Sequence, residues 1–230
     1  MSTPSANPHL TPLDFDLVIF DCDGILVDSE PIALRLNAEM LAELGWYPSD
    51  DEIVDLFLGR SMASNLLVIE ERTGRPVPEA WTERFRMRMH EAHEAELTEI
   101  AGVREALDGI VARGVSRCVA SSGTPDKIRH SLARCDLAGY FGDAVFSASE
   151  VAHGKPAPDL FLHAAARMGV APARCAVIED SRYGVQAARA AGMSAFGYAG
   201  GLTPAEWLEG RGTSVFTDMR KLPALLTEHV

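Results

Sequence analysis

The run Leu17-Val18-Ile19-Phe20 is followed without a break by Asp21-Cys22-Asp23-Gly24. Consecutive apolar residues, two of them β-branched, read as a strand buried on both faces, as in the middle of a parallel sheet. In open parallel sheets the ligand crevice lies beyond the carboxyl ends of the strands. Two aspartates separated by one residue hold their charges close together there, and a metal or a shared proton would relieve the repulsion. Gly24 permits a sharp turn, and Ile25 to Val27 return to apolar character before Asp28-Ser29.

After Ser29 the chain changes character. Ser29 can cap a helix with Glu30 and Pro31 in its first turn, and apolar residues from Ile32 to Leu44 run along it to a stop at Gly45. Helices are expected over 50–58, 61–72 and 78–95, the last two separated by Thr73-Gly74-Arg75-Pro76. No strand pattern occurs between Glu30 and there. From Ile100 onward, helices alternate with strands at 117–120, 144–146, 175–178 and 194–198, and a helix at 222–228 closes the chain. This alternation predicts an α/β fold, a doubly wound parallel-sheet (Rossmann-like) core carrying a small inserted all-helical cap. The expected division is a flexible tail at 1–13, the core at 14–29 and 96–230, and the cap at 30–95.

With 33 acidic against 21 basic residues the formal charge is −12. That argues against a nucleic-acid binder or an anionic-membrane binder, both of which want a basic face. The first 13 residues have no basic start and no apolar run, so they do not read as a signal peptide, and no stretch approaches the ~20 apolar residues that span a bilayer. Cys22, Cys118, Cys135 and Cys175 form no CxxC pair and read as free thiols. A cytoplasmic protein, monomeric or a small homo-oligomer, is expected.

The polar residues at the strand ends form a set: Asp21 and Asp23 after the first strand, Ser121 after the second, and Glu179 and Asp180 after the fourth. Lys155 comes from the loop before the helix that leads into that fourth strand. If these segments meet at one sheet edge, four carboxylates face a single lysine. Such a cluster needs a cation, and all-oxygen ligands suit a hard ion such as Mg²⁺. A serine hydroxyl, neighbouring backbone N–H groups and an ammonium are what phosphate oxygens require.

Asp21-Cys22-Asp23-Gly24-Ile25-Leu26-Val27-Asp28-Ser29, Ser121-Ser122-Gly123, Gly154-Lys155-Pro156-Ala157-Pro158-Asp159 and Glu179-Asp180-Ser181 with Gly184 resemble, in order and spacing, the four motifs of the haloacid dehalogenase superfamily. The resemblance implies that Asp21 is a nucleophile forming an aspartyl-phosphate and Asp23 the general acid/base. It implies that Ser121, Ser122 and Lys155 hold the phosphoryl group, and that Asp21, the Asp23 carbonyl, Glu179 and Asp180 hold Mg²⁺. Dehalogenases of the superfamily lack the second aspartate. The chain therefore resembles the phosphatases, and the expected substrate is a small phosphorylated metabolite: a sugar phosphate, phosphosugar acid or phosphoglycolate.

The helical insertion resembles the cap of the branch that includes the β-phosphoglucomutases, with Phe57-Leu58-Gly59-Arg60-Ser61-Met62 as its specificity loop and Arg60 as a substrate contact. The mutases carry a histidine where this chain has Ala33, and a loop arginine where it has Met62, which favours hydrolysis over mutase chemistry. A non-catalytic phosphate-binding module would not require both Asp21 and Asp23. His90 and His93 read as a solvated helix face, His153 as a residue shaping the Lys155 loop, and Trp46 and Trp81 as cap core.

Overall fold

A computed structural model describes Thr11 and residues 13–227. The elements run β1 (Leu17–Phe20), α1 (Glu30–Ala42), α2 (Asp50–Phe57), α3 (Met62–Thr73), α4 (Glu79–Glu96), α5 (Val103–Ala112), β2 (Ser116–Ser121), α6 (Pro125–Arg134), α7 (Ala138–Phe141) and β3 (Val145–Ser147). They continue as α8 (Asp159–Met168), β4 (Cys175–Glu179), α9 (Arg182–Ala190), β5 (Ser194–Tyr198), α10 (Ala205–Leu208), β6 (Thr213–Phe216) and α11 (Leu222–Leu225). One six-stranded sheet, in the order β3-β2-β1-β4-β5-β6, is parallel throughout. The chain winds outward from β1 to β3 and then returns to β4, so the order reverses between β1 and β4. That is where such sheets open a crevice at their carboxyl edge.

All four residues of β1 are fully buried, because its side chains alternate between two packed faces. Leu17 and Ile19 meet α8 and α9 through Leu160, Phe161, Val185 and Ala188. Val18 and Phe20 face α5, α6 and α7 through Leu107, Ile110, Leu132 and Phe141. Burying each such side chain stabilises the fold by about 1.5–3 kcal/mol. The second face is continuous with the helical insertion: the turn residues Ile25, Leu26 and Val27 lie in the same core as Met40, Ile53, Phe57, Trp81 and Phe85. Trp81 donates from Nε1 to the Met40 carbonyl (2.9 Å) and stacks on Phe85, and Trp46 packs against Phe57, so both tryptophans serve the interior of the insertion.

Several sequence expectations need correction. The edge strand β6 was missing from them, because Thr213, Ser214 and Val215 are only half buried and show no apolar run. The four-residue helices α7 and α10 are too short to display a helical period. The last helix stops at Leu225, and residues 228–230 lie outside the described residues. Of the proposed tail, only Thr11 and Leu13 are described. Leu13 is buried, and the Thr11 carbonyl accepts a hydrogen bond from Arg113 Nε (3.1 Å). All four cysteines are free and buried. Among the described residues, no helix is long and apolar enough to cross a membrane.

Candidate active site

The turn after β1 is built on backbone hydrogen bonds: the Leu26 and Val27 N–H groups donate to the Cys22 carbonyl, and Gly24 N–H donates to the Val27 carbonyl. Gly24 has φ +74°, and a Cβ there would fall 2.0 Å from Asp180 Oδ2. Glycine is therefore required twice, for the turn and for the approach of the β4 carboxylate. Asp21 extends β1, its N–H donating to the Ile178 carbonyl of β4 (3.0 Å). At the end of β4 the Glu179 side chain folds back and accepts from the N–H and the Oγ of Ser181 (2.8 and 2.9 Å). It lies where a Cβ on Gly184 would sit, which accounts for glycine in the first turn of α9.

Lys155 reaches this edge with its side chain wholly buried. Its Nζ donates to Asp21 Oδ1 (2.9 Å) and to Glu179 Oε1. Burial opposes its charge, but Asp21 and Glu179 outweigh that and hold it firmly protonated. Ser121, also buried, ends β2, and its Oγ accepts from the Gly123 N–H (3.2 Å). The structure thus brings Asp21, Ser121, Lys155, Glu179 and Asp180 to the switch-point edge.

One ammonium does not satisfy the carboxylates. Asp21, Glu179 and Asp180 each offer an oxygen within 4.8 Å of the others, and Asp180 Oδ2 is buried with no hydrogen-bond partner. Burial, together with Glu179 and Asp23 and against Lys155, raises Asp21 to about 7. Burial and the neighbouring Glu30 carry Asp180 well above the carboxylate range. An all-oxygen, buried, electron-rich cluster with an orphaned lone pair fits a hard divalent ion.

Asp23 faces elsewhere. It accepts from Ser29 Oγ at Oδ1 (2.6 Å) and from Lys127 Nζ at Oδ2 (2.7 Å). Burial pushes its pKa up, but the Lys127 ammonium and the two hydrogen bonds prevail and the net shift is downward. Ser29 is therefore not a helix cap. It sits in αR geometry with no capping hydrogen bond, its hydroxyl committed to Asp23.

Sequence reasoning missed two residues. Glu30 is 5 % exposed and abuts Asp180, but an acid in the first turn of a helix is what the helix dipole favours anyway, so it raised no signal. Lys127 did carry one: a lysine in the first turn of α6 opposes that dipole, and Asp23 is what offsets it.

The loop Phe57–Met62 rests on this edge. The Gly59 carbonyl accepts from Ser122 Oγ (3.1 Å), and a Cβ on Gly59 would sit 2.3 Å from Ser181 Oγ. Arg182 bridges to Asp55 (2.6 Å), making a second contact between the insertion and the sheet domain. Arg60 turns aside, donating to the Leu56 carbonyl (3.2 Å) with its guanidinium 5.3 Å above the Tyr183 ring. His153 is exposed and pairs with Asp159 (3.0 Å). His93, expected on a solvated face, is instead buried: α4 turns it inward, and that burial holds its imidazole neutral with a pKa of about 4.

Residues 15–192 match the family described as haloacid dehalogenase-like hydrolases. The chain is 32 % identical to the 6-phosphogluconate phosphatase of Escherichia coli (strain K12), over 79 % of this chain and 81 % of that protein. It is 34 % identical to the fructose-1-phosphate phosphatase of the same organism, over 77 % and 93 %. A solved HAD family hydrolase from Deinococcus radiodurans R1, with bound phosphate and sodium, superposes with a TM-score of 0.74 at 32 % identity, over 93 % of this chain and 96 % of that one.

Proposed function

We propose that this chain, which belongs to the haloacid dehalogenase-like hydrolases, is a phosphoric monoester hydrolase that cleaves a small sugar phosphate through a covalent intermediate on Asp21. The observation that carries this reading is the buried Asp21–Lys155 pair set against the cation-hungry Glu179 and Asp180. The named activities of the relatives, which hydrolyse a phosphosugar acid and a sugar phosphate, support the substrate class.

Asp21, Glu179 and Asp180, with the Asp23 carbonyl, would hold Mg²⁺, which supplies charge neutralisation for a carboxylate approaching a phosphate dianion. Lys155 orients Asp21 and takes up phosphoryl charge together with Ser121 and the Ser122 N–H. An Asp21 oxygen attacks phosphorus as the ester P–O bond breaks, and Asp23, in the protonated form that its Lys127 pair makes the minor one, gives its proton to the departing alkoxide. The ionised Asp23 then takes a proton from the water that attacks the aspartyl-phosphate, freeing Asp21 and inorganic phosphate. The helical insertion acts as a cap that excludes bulk water during this cycle.

Exhaustive chelation is expected to abolish phosphate release from 6-phosphogluconate, fructose 1-phosphate and similar substrates. Mg²⁺ should restore it and Ca²⁺ should do so poorly, because Ca²⁺ takes looser, larger coordination. Full turnover by the chelated protein would refute the metal assignment.

Lys127 sets the ionisation of Asp23. Lys127→Met removes the charge that favours the carboxylate, so the Asp23 pKa rises and its base form is lost at a higher pH. The acidic limb of the rate profile should move upward, with kcat lowered about 10–100-fold. An unmoved acidic limb would show that Lys127 does not govern Asp23.

A further inference from the structure

Away from the catalytic edge, α4 of the insertion and α6 of the sheet domain bring together His90, Glu94 and His130. Each offers one ligand atom within 4.8 Å of the others. His90 and Glu94 stand four residues apart, on one face of α4. His130 Nε2 lies 2.8 Å from Glu94 Oε1, and the two imidazoles face each other with centroids 5.0 Å apart, tilted by 50°. His90 and Glu94 are exposed and His130 is half buried, so the group is open to a solvent ion.

We propose that these residues form a second metal site, for a borderline transition ion such as Zn²⁺, that ties the insertion to the sheet domain. Two imidazoles and a carboxylate make a three-ligand set for tetrahedral zinc, with water in the fourth position. Imidazole also selects against Mg²⁺, so this site and the all-oxygen cluster take different ions. The four cysteines, the softer competitors for zinc, are all buried. Among the described residues, the other histidine–carboxylate pairs, His153–Asp159 and His163–Glu150, each supply a single imidazole.

The placement gives the site a consequence. α4 leads directly into Leu97, where the chain re-enters the sheet domain, and Arg134 of α6 already donates to the Glu94 carbonyl (3.1 Å). An ion bound across α4 and α6 would hold this junction in the arrangement in which the Gly59 loop rests on Ser122. Zinc would therefore stiffen this junction. The site itself does not depend on the proposed hydrolase activity, and neither does its test.

Zn²⁺ is titrated by calorimetry into the full chain saturated with Mg²⁺, and thermal melts are recorded with and without zinc. Wild type and the control His163→Gln should bind one equivalent and gain melting temperature. His90→Gln and His130→Gln should bind at least about tenfold more weakly, since even partners one shell removed from a metal cost that much, and should lose the zinc-dependent gain. Melts without zinc that match wild type establish that the variants are folded. Equal zinc affinity in wild type and in both variants would overturn the proposal and reduce the group to an ion pair and a ring contact. A zinc-dependent melting gain that persists in His130→Gln would overturn the cross-link.

Discussion

Asp21→Asn should lower phosphate release by about four or more orders of magnitude while leaving the fold intact. The amide is nearly isosteric with the carboxylate and still accepts from Lys155, but it cannot form the acyl phosphate, and loss of a covalent catalyst has effects of this size. A labelled phosphoryl group should be recovered on Asp21 of acid-quenched wild type and be absent from the variant. Recovery on any other residue would refute the nucleophile.

The same substitution makes a stability prediction of opposite sign. The Asp21 carboxyl is raised to about 7 in the folded protein, by burial above all, against about 3.9 in the unfolded chain. Between those values the unfolded state has released its proton and the folded state has not, so this group's contribution to stability falls as pH rises through the window. Above it the penalty is complete. Metal-free Asp21→Asn should therefore gain on wild type between about pH 4 and pH 7, by a few kcal/mol at most, in paired denaturant titrations. A difference that is flat with pH would show that Asp21 is not strained by its surroundings. Inactive yet more stable is the signature of a residue kept for chemistry.

What was legible in the sequence follows from the same logic. Asp21, Glu179 and Asp180 stand at strand ends that the β-α alternation fixes and Lys155 in the loop before α8, so their convergence could be read before the sheet was seen, while the turn of Asp23 toward Lys127 could not. The burial of Leu17 to Phe20 on both faces of the sheet was equally plain, because burial writes itself into residue type. Contacts set by side-chain direction were not. Ser29 obeys every rule of a helix cap, yet its hydroxyl is turned to the Asp23 carboxylate and makes no capping hydrogen bond. Glu30 hides in the same way among residues that suit a helix start. His93 shares with His90 a helix that is charged along most of its length, and only the folded chain shows that His93 is the one turned inward, near Asp23 and Lys127.

Lys155→Met should remove activity and stability together, in contrast to the change at Asp21. The Lys155 side chain is fully enclosed, and its ammonium is the one formal positive charge in direct contact with Asp21 and Glu179 among the described residues. Methionine fills much the same volume, so the loss is chiefly electrostatic. It leaves two buried carboxylates facing each other beside Asp180. Breaking a buried pair on one side costs about 3–5 kcal/mol, which for a chain of this size corresponds to a fall in melting temperature of roughly 6–20 °C. Two responses identify the cause. Mg²⁺ should recover more melting temperature in Lys155→Met than in wild type, because the ion then supplies the only charge that the carboxylates can use. Lysine replaced by arginine should not restore the fold fully, since the wider guanidinium has to enter a site closed to solvent. A variant that melts with wild type in the absence of metal would mean that the carboxylates are already neutral, and that Lys155 serves the reaction alone.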